Sequence, residues 1–152
     1  MVELSNFDKD LLNVLQEHLP ISERPFKDIA EKMGADEKTV IDRLNELKKA
    51  GFIRRIGAFF DSNELGYTGT LVALKVKDGK MQDVAEFVNK YAGVTHNYER
   101  EGKYNLWFTL LSPNAEYEEK VLNEARNLEG VEGLLNLKAK HKYKINVAFK
   151  LK

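Results

Sequence analysis

Cysteine is absent from this 152-residue chain, which removes disulfides, thiolate metal centres and cysteine nucleophiles from consideration. No apolar run approaches the ~20 residues that a membrane-spanning helix needs. The opening "MVELSNFDKD" lacks the basic-then-apolar layout of an export signal, so a cytoplasmic protein with no membrane partner is expected. Net charge is missing as well. The 24 Lys and Arg residues balance 24 Asp and Glu, and no whole-chain field draws nucleic acid or an anionic membrane. No segment is low in complexity, and nothing resembles the strained turn that presents a serine nucleophile. What is present is an ordinary soluble balance, 43% apolar and 32% charged, in a chain long enough for one sizeable core or two small domains.

The first sixty residues read as three helices and a strand. Leu11, Leu12, Val14, Leu15 and Leu19 follow Asp8 at helical spacing, and Pro20 stops that helix. "RPFKDIAEKMG" predicts a short helix with Pro25 in its first turn and Gly34 as its cap. "ADEKTVIDRLNELKKAG" predicts a third, capped by Asp36 and ended by Gly51, with Val40, Ile41, Leu44 and Leu47 on one stripe. "FIRRIGAFFD" then reads as a strand or wing. This is the outline of a winged helix-turn-helix. From about Gly66 the pattern becomes strand, helix, strand, strand, helix, strand. The helix at "KMQDVAEFVNKYA" carries Val84, Phe87, Val88 and Tyr91 on one face. The final stretch alternates from Tyr143 through Ile145, Val147, Phe149 and Leu151. The expected fold is α+β: an N-terminal winged helix-turn-helix (residues 1–62) followed by a ferredoxin-like βαββαβ plait (residues 63–152). The β-rich end would leave an open edge in a monomer, so dimerisation through the plait is expected.

A DNA-reading role for the third helix would aim Lys38, Thr39 and Arg43 at base edges and set Arg54 and Arg55 on phosphates. Residues 1–60 hold ten basic and eleven acidic side chains, a poor match to a dense row of phosphates. Asp42 and Glu46 lie one turn apart on the exposed side of the same helix. DNA is therefore not expected as a partner, and a helical domain kept for dimer contacts or as a cap over the plait is the preferred reading.

The stretch "VTHNYEREGKYNLWFTLLS" (residues 94–112) is the most informative. It reads as two strands joined by a turn at Glu101-Gly102-Lys103, with Val94, His96, Tyr98 and Arg100 in line on one period-2 face. Singly, each polar residue has an ordinary explanation, such as Arg100 pairing with Glu99 or Glu101. Together they align a titratable imidazole, a phenol and a guanidinium that grips carboxylates in bidentate fashion. The next strand adds Tyr104, Asn105, Trp107 and Phe108. Broad aromatic faces beside cationic donors suit a large flat ligand with carboxylates around its edge. One His with no second ligand nearby makes no closed metal site.

The winged helix followed by the plait resembles the Lrp/AsnC family. "RRIGAFFD", "LGY", "HNYER", "YNLWFTL" and "YKINVAF" together resemble its siroheme decarboxylase branch. The resemblance implies removal of the two acetate carboxyl groups of siroheme, giving didecarboxysiroheme on an alternative haem route or a route to haem d1. It implies a related second subunit (a heterodimer) or a second copy (a homodimer), with the pocket between plaits. It requires no cofactor beyond the iron tetrapyrrole substrate, and it allows a bound haem. On the "HNYER" motif His96, Tyr98 and Arg100 take the catalytic roles. Arg54, Arg55, Tyr104, Asn105, Trp107, Tyr143 and Lys144 are the implied substrate-binding residues. Arg100 suits a carboxylate. His96 suits proton delivery near neutral pH, with Tyr98 holding or relaying, or else axial ligation of the substrate's iron. The rival readings are an Lrp/AsnC-type transcription regulator responding to a small molecule, and a subunit that only scaffolds a catalytic partner.

Overall fold

The computed structural model describes residues 3–58, 60–144 and 148–152. Its contacts divide the chain into two units, Met1–Ala58 with Lys144–Lys152, and Phe59–Tyr143.

The first unit is helical. Helices α1 (Asn6–Glu17), α2 (Pro25–Met33) and α3 (Glu37–Lys49) meet through Leu11, Ile29, Ala30, Val40, Leu44, Leu47 and Ile53. Pro25 opens α2, and Gly34 ends it in the left-handed conformation at φ 65°. Asp36 caps α3 by accepting from the Thr39 amide at 3.0 Å. The start of α1 differs in detail from the sequence expectation. Ser5 is the cap, and Asp8 is three residues inside. The Ser5 hydroxyl accepts from the Asp8 amide at 3.2 Å, and the Asp8 carboxylate accepts from the Ser5 amide at 2.7 Å. This reciprocal arrangement satisfies two amides that the helix leaves unpaired. Asp8 is fully buried, and Arg43 of α3 grips it with two donors, Nη2 at 2.8 Å and Nε.

Two sequence expectations change here. "FIRRIGAFFD" forms no strand among its described residues; Phe59 lies outside them. The amides of Phe52 and Ile53 instead close the end of α3 on the Leu47 carbonyl, at 3.0 and 3.4 Å, and among the described residues of this stretch Ile53 alone is buried. The terminal alternation is not a strand either at Tyr143, Lys144 or 148–152; Ile145 and Val147 lie outside the described residues. Its backbone finds partners on α1. The Asn13 amide exchanges hydrogen bonds with Leu151 at 3.2 and 2.9 Å, and Gln16 with Phe149 at 3.1 Å each way. Side-chain amides satisfy the extended segment where a neighbouring strand would otherwise be required.

The second unit has the expected βαββαβ order. Strands β1 (Thr68–Val76), β2 (Val94–Glu99), β3 (Leu106–Ser112) and β4 (Val131–Lys138) alternate with α4 (Met81–Val88) and α5 (Ala115–Arg126). The four strands form one antiparallel sheet in the order β2-β3-β1-β4. Val72, Leu74 and Val76 of β1 with Leu106, Phe108 and Leu110 of β3 pack against Val84, Val88, Val121 and Leu122 of the two helices. Both helices therefore cover one face, and alternation sends the other residues of each strand to the opposite, open face.

The Asp8–Arg43 pair generates the first prediction. The guanidinium of Arg43 holds the Asp8 carboxyl well below the usual carboxylate range, against the opposing effect of burial, and the Ser5 bonds add to it. A carboxyl lowered in the folded state stabilises fully above its unfolded value of about 4, and that contribution is lost as pH falls from there through the folded value. Asp8→Asn should cost about 2–3 kcal/mol at neutral pH, at or below the lower end for breaking a buried pair. The cost is moderated because the Arg43 side chain is 29% exposed. Denaturant unfolding followed across pH 2–7 should show the full deficit at neutral pH and its progressive shrinkage below about pH 4.

Candidate functional site

The site stands on the β2–β3 hairpin, and an irregularity at its start sets which residues face where. Val94 pairs with Leu110 and His96 pairs with Thr109, so Thr95 is an extra, unpaired residue. This is a β-bulge, which shifts the parity of everything before it. The sequence reading placed Val94 in line with His96, Tyr98 and Arg100; the structure corrects this. Val94 turns to the helix side and packs on the core, while His96 and Tyr98 remain on the open face. Asn97 also faces the helices, donating to the Ala85 carbonyl at 3.3 Å and to Asn89 at 3.0 Å. Gly93, just before the bulge, is required by close approach. A β-carbon there would lie 2.2 Å from the Leu111 carbonyl oxygen, whose own residue donates to the Gly93 carbonyl at 2.8 Å.

On the open face, cross-strand partners line up into two rows. His96, Thr109, Leu71 and Leu137 form one; Tyr98, Trp107, Ala73 and Leu135 form the other. The rows give an apolar floor with a polar margin along β2. A groove of about 620 Å³ lies over it, lined by Leu71, His96, Tyr98, Arg100, Trp107 and Thr109. Its floor is apolar and partly open to water, with Tyr98 at 54% and Leu71 at 41% exposure. The polar margin is a continuous stack. The rings of His96 and Tyr98 lie 6.4 Å apart and near parallel, at 27°. The Arg100 guanidinium sits 5.9 Å from the centre of the Tyr98 ring, within reach of a cation–π attraction. Among the described residues no carboxylate stands within ion-pair reach of Arg100. The ordinary explanation, pairing with Glu99 or Glu101, is not what the structure has. A planar guanidinium held over an aromatic face and lacking an internal anion is suited to an external carboxylate.

The other sequence candidates fall in different places. Trp107 lines the groove, its indole N–H donated to the Tyr104 carbonyl at 2.8 Å, which fixes the ring as a wall. Tyr104 lies beside Gly133 on β4 and does not line the groove. Asn105 is engaged structurally. Its side chain accepts from the Val76 amide at 2.8 Å and donates to the Val76 carbonyl at 2.9 Å, while its own amide donates to Leu74 at 2.9 Å. It clamps the end of β1, where the sheet register also breaks. Tyr143 is 92% exposed, with its ring edge-on to His141 at 4.6 Å. Arg54, Arg55 and Lys144 belong to the helical unit and are exposed. Leu71 and Thr109 are site residues that the sequence reading missed. A signal existed: Leu71 is an apolar residue out of phase with Val72, Leu74 and Val76. The expected plait does not fix the register of β1 on β3, and so nothing in the sequence sets Leu71 in the row of His96 and Thr109.

On α3 the cations proposed as DNA readers are already neutralised. Lys38 pairs with Asp42, Arg43 with both Asp8 and Glu46, and the Thr39 hydroxyl donates to Asp36. Among the described residues no group of His, Asp and Glu is placed to hold a metal ion, and no helix is long and apolar enough to cross a membrane.

Two family descriptions match the chain: an AsnC-like ligand binding domain over residues 64–144 and a siroheme decarboxylase NirDL-like HTH domain over residues 8–54. A helix-turn-helix joined to an AsnC-like ligand-binding plait is thus the class of protein that the fold and groove define. The siroheme decarboxylase alpha subunit of Desulfovibrio desulfuricans is 41% identical over 151 residues, covering 99% of this chain and 87% of that one. The chain belongs to the siroheme decarboxylase family. The crystal structure of the siroheme decarboxylase NirDL in complex with an iron-uroporphyrin III analogue is similar at a TM-score of 0.72 and 35% identity, over 92% of this chain and 47% of that one. The AsnC structure from E. coli matches at a TM-score of 0.83 over 97% of this chain and 99% of that one, but at 17% identity it shares the fold alone.

The structural reading of Asn105 is directly testable. Asn105→Ala leaves two backbone groups of Val76 without partners and should cost about 2 kcal/mol in denaturant unfolding, with ligand affinity per folded molecule unchanged. A stable Asn105→Ala with weakened ligand binding would return this residue to the site.

Proposed function

We propose that this chain is a siroheme decarboxylase subunit whose open sheet face binds the tetrapyrrole and directs loss of its two acetate carboxyl groups. The observation that carries the reading is the aligned His96–Tyr98–Arg100 stack, with an anion-free guanidinium, on the margin of a flat groove walled by Trp107. A macrocycle is flat, apolar over its faces and carboxylated at its rim, and the groove has the complementary layout.

In each decarboxylation the bond between the acetate methylene and its carboxyl carbon breaks. Carbon dioxide leaves, the electron pair passes into the conjugated ring, and a proton converts the methylene to a methyl group. The ring is its own electron sink, so no further cofactor is called for. The protein's task is orientation and proton delivery. Arg100 holds a carboxylate, Tyr98 keeps the guanidinium and imidazole in line, and His96 supplies the proton. Tyr143 is proposed as an additional contact to a rim carboxylate; Arg54, Arg55 and Lys144 stay candidate substrate contacts on the family resemblance alone. The name "alpha subunit" carried by the Desulfovibrio relative supports a second subunit as partner; its seat over the open face and a place in the formation of haem or haem d1 are part of the proposal. The ion-paired cations of α3 leave DNA out of this reading. Selection from random duplexes at low salt should recover no single palindromic sequence.

The decisive experiment mixes the pure protein with siroheme without oxygen, alone and with a partner subunit, and follows absorbance and product mass. A pigmented complex and a product lighter by two carbon dioxides are expected; a colourless mixture with unchanged siroheme under both conditions overturns the assignment. Arg100→Ala should weaken siroheme binding by about thirty- to a hundredfold, the equivalent of ~2–3 kcal/mol for a charge-assisted contact. His96→Ala should leave binding nearly intact and slow turnover by roughly a hundredfold. If His96 instead ligates the substrate's iron, the same variant changes the visible spectrum of the complex and loses affinity.

A further inference from the structure

The bulge that reorients β2 also puts a hydroxyl beside the proposed proton donor. In an unbroken ladder residue 95 would pair with Leu110 and point its side chain into the helix-facing core. With the bulge, Val94 takes that pairing and Thr95 is left exposed next to His96. Its Oγ1 lies 3.1 Å from His96 Nδ1. Among the described residues this is the hydrogen-bond partner of the imidazole; Tyr98 meets the ring only face to face, and the cross-strand partner Thr109 is a groove wall. The hydrogen bond on one ring nitrogen sets what the other nitrogen can do. Threonine is suited to this place because its branched β-carbon favours extended backbone and restricts χ1, which holds the hydroxyl in position.

We propose that Thr95 is a positioning residue for His96. Its hydroxyl donates to Nδ1, which keeps the proton of the neutral imidazole on Nε2 and leaves Nε2 as the nitrogen that serves the groove. The proposal rests on the reading of His96 as proton donor, and it explains why a residue inserted into the ladder is a hydroxyl-bearing one. It predicts that removing the hydroxyl leaves the sheet, the groove and Arg100 unaltered while loosening the orientation of one ring.

The test uses the full chain with Thr95→Val, which keeps the branched shape, and Thr95→Ser, which keeps the hydroxyl. Nitrogen-15 spectra of His96 in the ligand-free protein with its ring neutral report each ring nitrogen separately. The wild type and Thr95→Ser should carry the proton on Nε2 with Nδ1 hydrogen-bonded; Thr95→Val should move the Nδ1 resonance toward that of a free imidazole. With siroheme, Thr95→Val should lower kcat by about tenfold, as for loss of one neutral hydrogen bond, with KM little changed and Thr95→Ser restoring the rate. An Nδ1 resonance that is the same in Thr95→Val, a neutral ring protonated on Nδ1 in the wild type, or an unchanged kcat in folded Thr95→Val each overturns the proposal. A wild type that binds no siroheme yet shows the Nδ1 bond refutes the decarboxylase reading and leaves the Thr95–His96 contact standing.

Discussion

The register of β2 against β3 is the constraint on which the site depends. A strand has two faces and a period of two, so one inserted residue exchanges the faces of everything on one side of it. At Thr95 that insertion lets Val94 enter the core while His96, Tyr98 and Arg100 keep the open face. A straight ladder would have to choose between a filled core at the start of β2 and an apolar side chain among the polar ones. Gly93 makes the arrangement possible, since any side chain there would run into the Leu111 carbonyl. The inward turn of Val94 and the polar row of the open face therefore meet at a single backbone feature.

Two arginines show how differently the halves of the chain use the same side chain. Arg43 is surrounded by anions, bound by Asp8 and Glu46, and fastens α3 to the first turn of α1. Its charge is consumed inside the helical unit, and so is that of Lys38 beside Asp42. Arg100 has an aromatic ring under it and no internal carboxylate among the described residues. A cation kept from internal anions presents its full donor fork to an external ligand. On α3 Lys38 and Arg43 are neutralised by internal carboxylates, while Arg100 of the plait has no ion-pair partner among the described residues.

The apolar floor follows from the same logic. Leu71, Leu135, Leu137 and Tyr98 remain substantially exposed on one side of the sheet because both helices of the plait lie on the other side. Exposed apolar surface gathered on one sheet face marks a place for a ligand or a partner. A flat macrocycle ringed by carboxylates is the occupant proposed for it.

Much of this was legible in the amino-acid sequence. Helix periodicity, Pro25, Gly34 and Asp36 marked the helical unit, and the strand–helix–strand–strand–helix–strand order marked the plait, because both signals are local and depend on spacing alone. The "HNYER" motif pointed to His96, Tyr98 and Arg100 for the same reason: alternate residues of a strand share a face whatever the strand pairs with. Interactions between distant segments were not legible. The wing and the terminal strand had the right alternation, yet the described residues of both pair with no strand, since a ladder also needs a partner edge and Asn13 and Gln16 met the terminal backbone first. Asn105 looked like a ligand contact until β1 came within reach of its amide. The local sequence determined which residues alternate and which helices form. Tertiary structure alone decided the bulge that turned Val94 inward and the strand pairing that set Leu71 and Thr109 beside His96, because register is settled only when two strands and a core compete for the same side chains.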